Sequence, residues 1–247
     1  MDKKVVLDAL KQVREGSTKR NFKQSFDFII NVRGIDLKKT ENQIEFFMTL
    51  KHTRSKKAKV CALVGAELSD EAKSVCDFSV VQDDFQKYGQ DKKAMKKLAE
   101  QYDFFIAQAN IMPKVAGAFG RVLGPRGKMP NPKAGCIVPP KFNLRPLYDK
   151  LQHTVKISLK TSPIIQTVVG SEDKGDDEIA DNILNIYDQV VHHLPNDKNN
   201  INSMFIKLTM GRPVQLLEKV SAEVKKQKKS LLHKKHDEPK KAEAVAQ

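Results

Sequence analysis

Apolar side chains at the beginning of the chain follow the period of an amphipathic helix. They recur at helical spacing from Val5 to Val13 with charged residues between them, and Gly16 follows as a stop signal. The pattern therefore predicts a helix over residues 3–15 that packs one face against another element.

Two segments with strand character follow this helix, at Phe26–Val32 and Ile44–Leu50. In the first of them Phe26, Phe28 and Ile30 occupy alternate positions, which is typical of a strand with one buried face. The pattern predicts the beginning of a sheet.

The pattern changes at Val60–Gly65, where a continuous apolar run ends in glycine and predicts a buried parallel strand. Helices and strands then alternate: a helix at Leu68–Cys76, a strand at Phe78–Val81, a helix at Lys92–Gln101, a strand at Phe104–Gln108 and a helical segment from Asn110. Such alternation predicts a small, doubly wound α/β unit.

From about Val155 the alternating, two-faced character returns. We expect a hairpin of Val155–Lys160 and Ile164–Gly170, a helix at Asp176–Leu194 and a strand at Asn202–Met210. Because the strands before and after the α/β unit have the same character, we expect them to complete one sheet, with that unit inserted between two halves of another domain. The expected boundaries are 1–62 and 155–218 for domain I, 63–154 for the inserted domain II, and 219–247 for a tail.

The chain carries a net charge of +14, which favours a polyanionic partner because binding to phosphates releases condensed counterions. Residues 219–247 hold nine lysines and four acidic residues, a net of +5, so +9 remains on residues 1–218. The folded part is therefore basic in its own right. For the tail we expect at most a frayed helix followed by disorder, and both nonspecific RNA attraction and solubility stay open as its role.

The sequence argues against several other classes of protein. Its three cysteines form no CxxC pair and its histidines have no ligand spacing, so we expect buried thiols, no metal and no cofactor. The N-terminus has no continuous apolar core, so we expect no signal peptide, no membrane span and a cytoplasmic location. A Walker motif fails because Met129 follows Gly127-Lys128, and no nucleophile motif is recognisable, so we expect no enzyme.

No acidic residue occurs between Asp103 and Asp149, although cations continue through this stretch, at Lys114, Arg121, Arg126, Lys128, Lys133, Lys141 and Arg145. Its centre, Gly120–Lys133, is rich in glycine and proline, and we expect an irregular path that presents cations and lets the backbone approach a phosphate closely. A merely rigid surface loop is the alternative.

The segment Gly124-Pro-Arg-Gly-Lys-Met-Pro-Asn-Pro-Lys133 resembles the signature of the large-subunit ribosomal protein one family, the protein of the mobile ribosomal stalk. Three further segments resemble this family at the expected places: Asn21–Phe28, Asp103–Gln108 and Lys207–Gly211. The likeness covers residues 1 to about 215, and Arg126-Gly-Lys-Met-Pro resembles archaeal sequences more than bacterial ones.

The resemblance implies an α/β protein in which a split β-α-β RNA-binding domain is interrupted by an inserted Rossmann-like, three-layer domain. It also implies a constituent of the large ribosomal subunit, in the cytoplasm, that binds the stalk region of the rRNA. Further implications are assistance in the release of exit-site tRNA, repression of the protein's own mRNA, and a monomer when free.

Matched to the family's motifs, the implied rRNA-binding residues are Phe22, Ser25, Ser203, Thr209, Met210 and Gly211, with Lys23, Lys160, Gln166 and Lys207 as weaker additions. The serine and threonine hydroxyls can bond to 2′-OH groups and phosphate oxygens, and Phe22 offers an apolar face to a sugar or base. Secondary contacts with RNA or tRNA are implied for Lys51, Arg54, Lys56, Arg121, Arg126, Lys128 and Lys133.

Two departures from the family put parts of this assignment in doubt. Ile164 and Ile165 stand where many relatives carry aromatic side chains, and the Lys51–Lys59 loop is more cationic and less glycine-rich than its counterparts. A solvated charge run is an alternative for this loop. Two alternatives also stay open for the whole chain: an enzyme that binds a nucleotide or phosphometabolite on the α/β unit, and a nonspecific nucleic-acid binder.

Overall fold

The computed structural model describes residues 1–54 and 56–216, so the tail predicted for 219–247 lies outside the described residues. The α-helices of this part are α1 (Lys3–Glu15), α2 (Ser69–Val75), α3 (Phe85–Gln90), α4 (Lys92–Gln101), α5 (Met112–Leu123), α6 (Leu144–His153) and α7 (Asp176–His193). Its strands are β1 (Ser25–Val32), β2 (Ile44–Thr49), β3 (Val60–Val64), β4 (Phe78–Val81), β5 (Phe104–Gln108), β6 (Ile137–Val138), β7 (Thr154–Leu159), β8 (Ile164–Ser171), β9 (Ile201–Leu208) and β10 (Val214–Leu216).

An antiparallel sheet in the order β10-β9-β1-β8 joins both ends of the described chain. In β1 every second side chain is buried, as the alternation of Phe26, Phe28 and Ile30 predicts. The apolar faces of α1 and α7 share one core with these side chains, with Leu10 and Ile183 among their fully buried residues. The opposite face of the sheet does not pack against this core.

Strands β2 and β7 form a separate two-stranded antiparallel sheet. The predicted hairpin of β7 with β8 is therefore wrong, as is the expectation of one sheet for all five strands. Pro163 lies in the turn between β7 and β8 and has no N–H to donate to a ladder. Its carbonyl instead accepts a hydrogen bond from the N–H of Val32 at 2.9 Å, which joins the start of β8 to β1.

A parallel sheet in the order β4-β3-β5-β6 occupies the middle of the chain, with helices against both faces. Strand β3 is buried throughout, as its continuous apolar run predicts. The predicted α/β fold class is confirmed. Three elements of this unit were not predicted: α3, with a glycine near its end, β6, which is two residues long, and α6, which has a proline in its first turn. In the outer sheet, the three-residue strand β10 was not predicted either.

The segment by which the chain enters this α/β unit lies beside the segment by which it leaves. Thr49 and Thr154 are partners in the β2–β7 ladder, and the N–H of Leu50 donates to the carbonyl of His153 at 2.9 Å. The side chain of Gln152 exchanges two hydrogen bonds with the backbone of Ala58, at 2.8 and 2.9 Å. The division at 62/63 and 154/155 stays a prediction, and β3 spans the first of these boundaries.

The three cysteines are buried and free, so the prediction of buried thiols is confirmed. Burial raises the pKa of Cys76 and of Cys136 to about 11, and it raises the pKa of Cys61 further. A thiol must be deprotonated to act as a nucleophile, so these side chains are inert at neutral pH.

The glycine- and proline-rich segment is less irregular than predicted, because Gly120–Leu123 forms the last turn of α5. A turn follows, in which Gly127 has a φ of +62°. Beyond it the ammonium of Lys128 donates to the carbonyls of Ala99 and Tyr102, both at 2.8 Å, and so caps the C-terminal end of α4. The guanidinium of Arg126 lies 2.9 Å from Glu100.

The cap on α4 makes Lys128 a stabilising residue. Lys128→Met should lower the free energy of unfolding by about 2 kcal/mol, because two helix-end carbonyls lose a charged donor. Urea denaturation followed by circular dichroism measures this change. Lys133→Met, an exposed change in the same segment, is the control and should leave stability unaltered; equal stability of both variants would contradict the role of Lys128.

The raised pKa values of the thiols predict that they react slowly in the native protein. At pH 8 the native protein should react with no equivalent of a disulfide reagent such as Ellman's reagent on the time scale of minutes. For a pKa of about 11, only about one thiol in a thousand is ionised at this pH. Denatured protein should titrate three. A thiol that reacts rapidly in native protein would show that the sulfur positions are accessible.

Candidate nucleic-acid interface

The outward face of the β10-β9-β1-β8 sheet carries uncharged groups more than charged ones. Three cross-strand rows cover it: Val168, Asp27 and Lys207; Gln166, Ile29 and Phe205; and Ile164, Asn31 and Ser203. All of these side chains are half-buried or exposed, whereas their neighbours along each strand are buried. We call these nine residues the sheet face.

Five members of the sheet face were missed from the sequence: Asp27, Ile29, Asn31, Val168 and Phe205. The signal for them was the same alternation that predicted the core, because residues between buried positions of a strand point to the other face. Ile29 and Phe205 pair directly across β1 and β9, so the middle of this surface is apolar. Such a surface can pack against a sugar or a base.

The end of β9 is pinned to the start of β1 through Thr209. Its hydroxyl accepts a hydrogen bond from the N–H of Ser25 at 3.1 Å and donates to the carbonyl of Ser25 at 3.2 Å. The N–H of Thr209 donates to the same carbonyl at 3.1 Å. The donor capacity of this hydroxyl is therefore used within the protein, and toward RNA it can act only as an acceptor.

Gln24 holds the next residue of this turn and was also missed. Its side-chain oxygen accepts a hydrogen bond from the N–H of Met210 at 3.3 Å, and its backbone carbonyl accepts one from Glu172 at 2.9 Å. Gln24 is 1% exposed, and its Nε2 has no partner among the described residues. A buried polar residue next to this turn positions the backbone on which Met210 is displayed.

Two large apolar side chains stand out at this end of the sheet. Met210 is 63% exposed and Phe22 is 51% exposed, the two highest values among the large hydrophobic residues of the described chain. Gly211 follows, and a Cβ there would lie 3.2 Å from the Cβ of Leu208, so the turn is tight. Phe22, Ser25, Thr209, Met210 and Gly211 therefore form one group, which we call the turn cluster.

Ser203 is separated from the turn cluster. Its hydroxyl accepts a hydrogen bond from Asn31 at 2.9 Å, at the far end of β1, and six residues of strand span roughly 20 Å. Gln166 and Lys207 lie between these ends, as partners of Ile29 and Asp27. The residues predicted from the sequence are therefore spread along the sheet and do not form a single compact site.

Charges near this surface are largely balanced within the protein. Lys23 lies 2.7 Å from Asp173, and Lys160 lies 2.5 Å from Glu45. Burial raises the pKa of Asp27, while the nearby charge of Lys207 acts in the opposite direction. These lysines therefore contribute less free positive charge to this surface than their number implies.

The Lys51–Lys59 loop is anchored near both ends by side-chain amides. Besides the bonds between Gln152 and Ala58, the buried Asn182 accepts from the N–H of His52 at 3.0 Å and donates to its carbonyl at 3.2 Å. Lys51 and Lys56 project as exposed side chains. The side chain of Arg54 is half-buried instead, with its guanidinium 6.0 Å from the ring centre of Phe104. This burial lowers the pKa of Arg54.

The secondary cations of the α5 segment divide in the same way. Arg121, Arg126 and Lys133 are exposed, but Arg126 is held by Glu100, as the half-buried Lys128 is held by the end of α4. The segment also touches β7, where Lys156 Nζ lies 2.7 Å from Glu45 and donates to the carbonyl of Gly127 at 3.3 Å. A cleft of about 320 Å³ lies beside this contact, lined by residues that include Arg54 and Gln166.

The carboxyl edge of the parallel sheet, where α/β proteins usually bind nucleotides, is occupied by a side chain of the protein itself. Gln108 is 2% exposed, and its Oε1 accepts a hydrogen bond from the N–H of Gly65 at 2.9 Å. Its Nε2 lies 3.5 Å from Glu67. This arrangement leaves the Gly65 turn closed to a phosphate and disfavours the enzyme alternative.

Two searches of the described residues bear on other ligands. They contain no group of three or more histidine, cysteine, aspartate or glutamate side chains placed to hold a metal ion. No helix among residues 1–54 and 56–216 combines the length and hydropathy that a bilayer crossing requires.

Residues 10–212 match a protein family described as the ribosomal protein L1p/L10e family. The large ribosomal subunit protein uL1 of Methanobrevibacter smithii is 43% identical over 213 residues, which are 86% of this chain and 98% of the relative. The proteins of the same name from Methanothermobacter thermautotrophicus and Nanoarchaeum equitans are each 38% identical. They cover 86% of this chain and 98% and 100% of their own lengths.

These relatives are archaeal, which confirms the archaeal resemblance of the Arg126-Gly-Lys-Met-Pro segment. Members of this family are ribosomal proteins, which confirms the expectation that the chain is not an enzyme. The match begins within α1 and ends just before β10, so it includes the other strands of the outer sheets and the whole α/β unit between them. The chain belongs to the ribosomal protein L1p/L10e family.

Proposed function

We propose that this protein is a constituent of the large ribosomal subunit, on the cytoplasmic ribosome, that binds the stalk region of the large-subunit rRNA. The observation that carries the proposal is the turn cluster. Here two exposed apolar side chains, Met210 and Phe22, stand on a backbone that Thr209 and Gln24 hold in place. Exposed apolar groups on a rigid turn cost solvation energy unless a partner covers them.

The sheet face extends this contact surface toward Ser203. Gln166 and Ser203 supply hydrogen-bonding groups, and Ile29 with Phe205 supplies apolar area. Because these groups are uncharged, their contacts with folded RNA are not screened by salt. They would give specificity, while the excess of lysine and arginine elsewhere gives attraction at long range.

For exit-site tRNA we propose contacts through Arg121, Lys133, Lys51 and Lys56, because these secondary cations are exposed. Arg54, Arg126 and Lys128 are weaker candidates, since each is held by an internal contact. Binding of the protein's own mRNA would use the same sheet face and turn cluster, if that mRNA folds like the stalk RNA. We further propose that the free protein is a monomer. Of these three proposals, the one for the mRNA depends on the rRNA surface being assigned correctly.

Affinity for an rRNA stalk fragment should fall with salt but persist where binding to scrambled RNA has vanished, because the uncharged surface supplies unscreened contacts. Fluorescence anisotropy over a KCl series measures both affinities. Equal salt slopes and equal affinities for the two RNAs would identify a nonspecific binder and sink the proposal.

Two substitutions test the turn cluster. Thr209→Ala removes the two hydroxyl hydrogen bonds to Ser25 and should cost about 1 kcal/mol of binding, while Met210→Asp places a charge against phosphates and should weaken binding more strongly. The matched control is Phe142→Asp, an acidic change at an exposed apolar residue of the α/β unit, which should leave stalk affinity unchanged. If the Thr209 and Met210 variants fold and bind stalk RNA like wild type, the turn cluster is not the binding site.

Excision of residues 53–152, with a short glycine-rich linker from His52 to His153, should leave a folded fragment. The two ends already meet through Leu50 and His153, and His52 keeps its bonds to Asn182. The turn cluster and sheet face are intact in this fragment, so stalk affinity should stay within about tenfold with a smaller salt slope. Circular dichroism checks folding; a folded fragment without preference for stalk RNA would place the specific site in the excised unit.

A further inference from the structure

The two helix layers of the parallel sheet differ sharply in charge. Helices α4 and α5 carry six lysine or arginine side chains and one glutamate, whereas α2 and α6 carry three basic and three acidic side chains. Helix α3 belongs to the same layer, and its one cation, Lys87, pairs with Asp84 at 2.8 Å. The six cations of α4 and α5 are all exposed: Lys92, Lys93, Lys96, Lys97, Lys114 and Arg121. We call these six residues the cationic face. Charge is therefore segregated to one side of the α/β unit.

Helix stability does not explain the lysines of α4. The carboxylate of the N-cap residue Asp91 accepts hydrogen bonds from the N–H groups of Lys93 and Ala94 and so complements the helix dipole. The ammonium groups of Lys92 and Lys93, in the first turn, oppose the dipole. Each also has a lysine four residues further on, Lys96 and Lys97, and such like-charge pairs destabilise a helix. The arrangement is unfavourable for the isolated protein, and bound anions would relieve it.

These cations are available to a partner. Within residues 1–54 and 56–216 none of the six takes part in an ion pair, in contrast to Arg126 and Lys128 close by. The neighbouring Glu100 is already occupied by Arg126 at 2.9 Å. The positive charge of this layer is therefore directed at the solvent.

The outer surface of α5 is flat between its two cations. Lys114 and Arg121 are separated by seven residues, roughly 10 Å along the helix. Between them lie Gly117 and Gly120, where an added Cβ would meet nothing within 4 Å. Glycine inside a helix is unfavourable, and neither packing nor a positive φ requires it here. The space lets a polymer backbone approach the helix closely.

We propose that the cationic face binds the phosphodiester backbone of an RNA helix without sequence preference. The positive charge of this face favours a polyanion as its partner. A nucleic acid is favoured over an acidic protein because the face lacks exposed apolar side chains. None of the large apolar side chains exposed in the described chain lies on α4 or α5, whereas protein interfaces are usually centred on such residues. This face is separate from the turn cluster and sheet face, so the protein can hold two RNA segments.

The test uses the full chain and two triple variants of equal net charge. Lys93→Gln, Lys96→Gln and Lys97→Gln remove three charges from the cationic face, and Lys73→Gln, Arg145→Gln and Lys150→Gln remove three from the opposite layer. The probe is an RNA duplex of about 20 base pairs, unrelated to rRNA, titrated at about 50 to 300 mM KCl. The first variant should lower the salt slope by about two to three and weaken binding at about 0.1 M salt tenfold or more. The control should stay within about twofold of wild type.

A substitution without charge change provides a second readout. Gly117→Gln points into open space and improves helix propensity, so the melting temperature should stay equal or rise. Duplex affinity should nevertheless fall about threefold or more, because the side chain keeps the RNA backbone away. Stalk RNA binding at high salt should survive in all variants, which separates this proposal from the function proposed above.

Three outcomes would overturn the proposal. Equal losses in both triple variants would mean that duplex affinity follows net charge alone. Unchanged duplex binding in the first variant would mean that the cationic face does not bind RNA. Loss of binding to a polyglutamate peptide, with duplex binding intact, would assign the face to an acidic protein.

Discussion

Strand β1 is hydrogen-bonded on both sides to strands from the other end of the described chain, and the rest of the structure depends on this pairing. Ser25 lies opposite Ser171, and Phe26 lies opposite Leu208. The sheet can close only if the whole α/β unit returns the chain to its starting point, which the contacts at Thr49 and Thr154 achieve. Pairing of such distant segments carries a large loop-closure entropy, so this sheet depends on the core beneath it.

The same pairing builds the candidate RNA surface. The end of β9 is fixed where β1 begins, by the bonds of Thr209 to Ser25 and of Gln24 to Met210. Residues almost two hundred positions apart thus become one rigid turn that exposes Met210. A hydrogen-bonded backbone lets apolar groups stay in solvent without collapsing onto the core, which is what a preorganised binding site requires.

Positive charge serves two purposes in this protein. Some cations stabilise the fold, as Lys128 does at the end of α4 and Arg54 does over Phe104. Others, such as Lys96 and Lys114, have no internal partner among the described residues and face the solvent. Net charge alone therefore overstates the number of cations that are free to bind a partner, and the position of each cation decides whether it can reach a phosphate.

The sequence by itself determined the elements whose signal is local. Alternation predicted β1, a continuous apolar run predicted β3, and helical spacing predicted α1 and α7. The family motifs named the five residues that the fold groups in the turn cluster. Neither source could show which strand pairs with which, because a two-faced strand such as β7 is equally suited to β8 and to β2. Only the tertiary structure decided that pairing, the division of cations between internal caps and exposed faces, and the role of Gln24. Each of these depends on a partner that is distant in the chain, and contacts of that kind leave no periodic trace in the sequence.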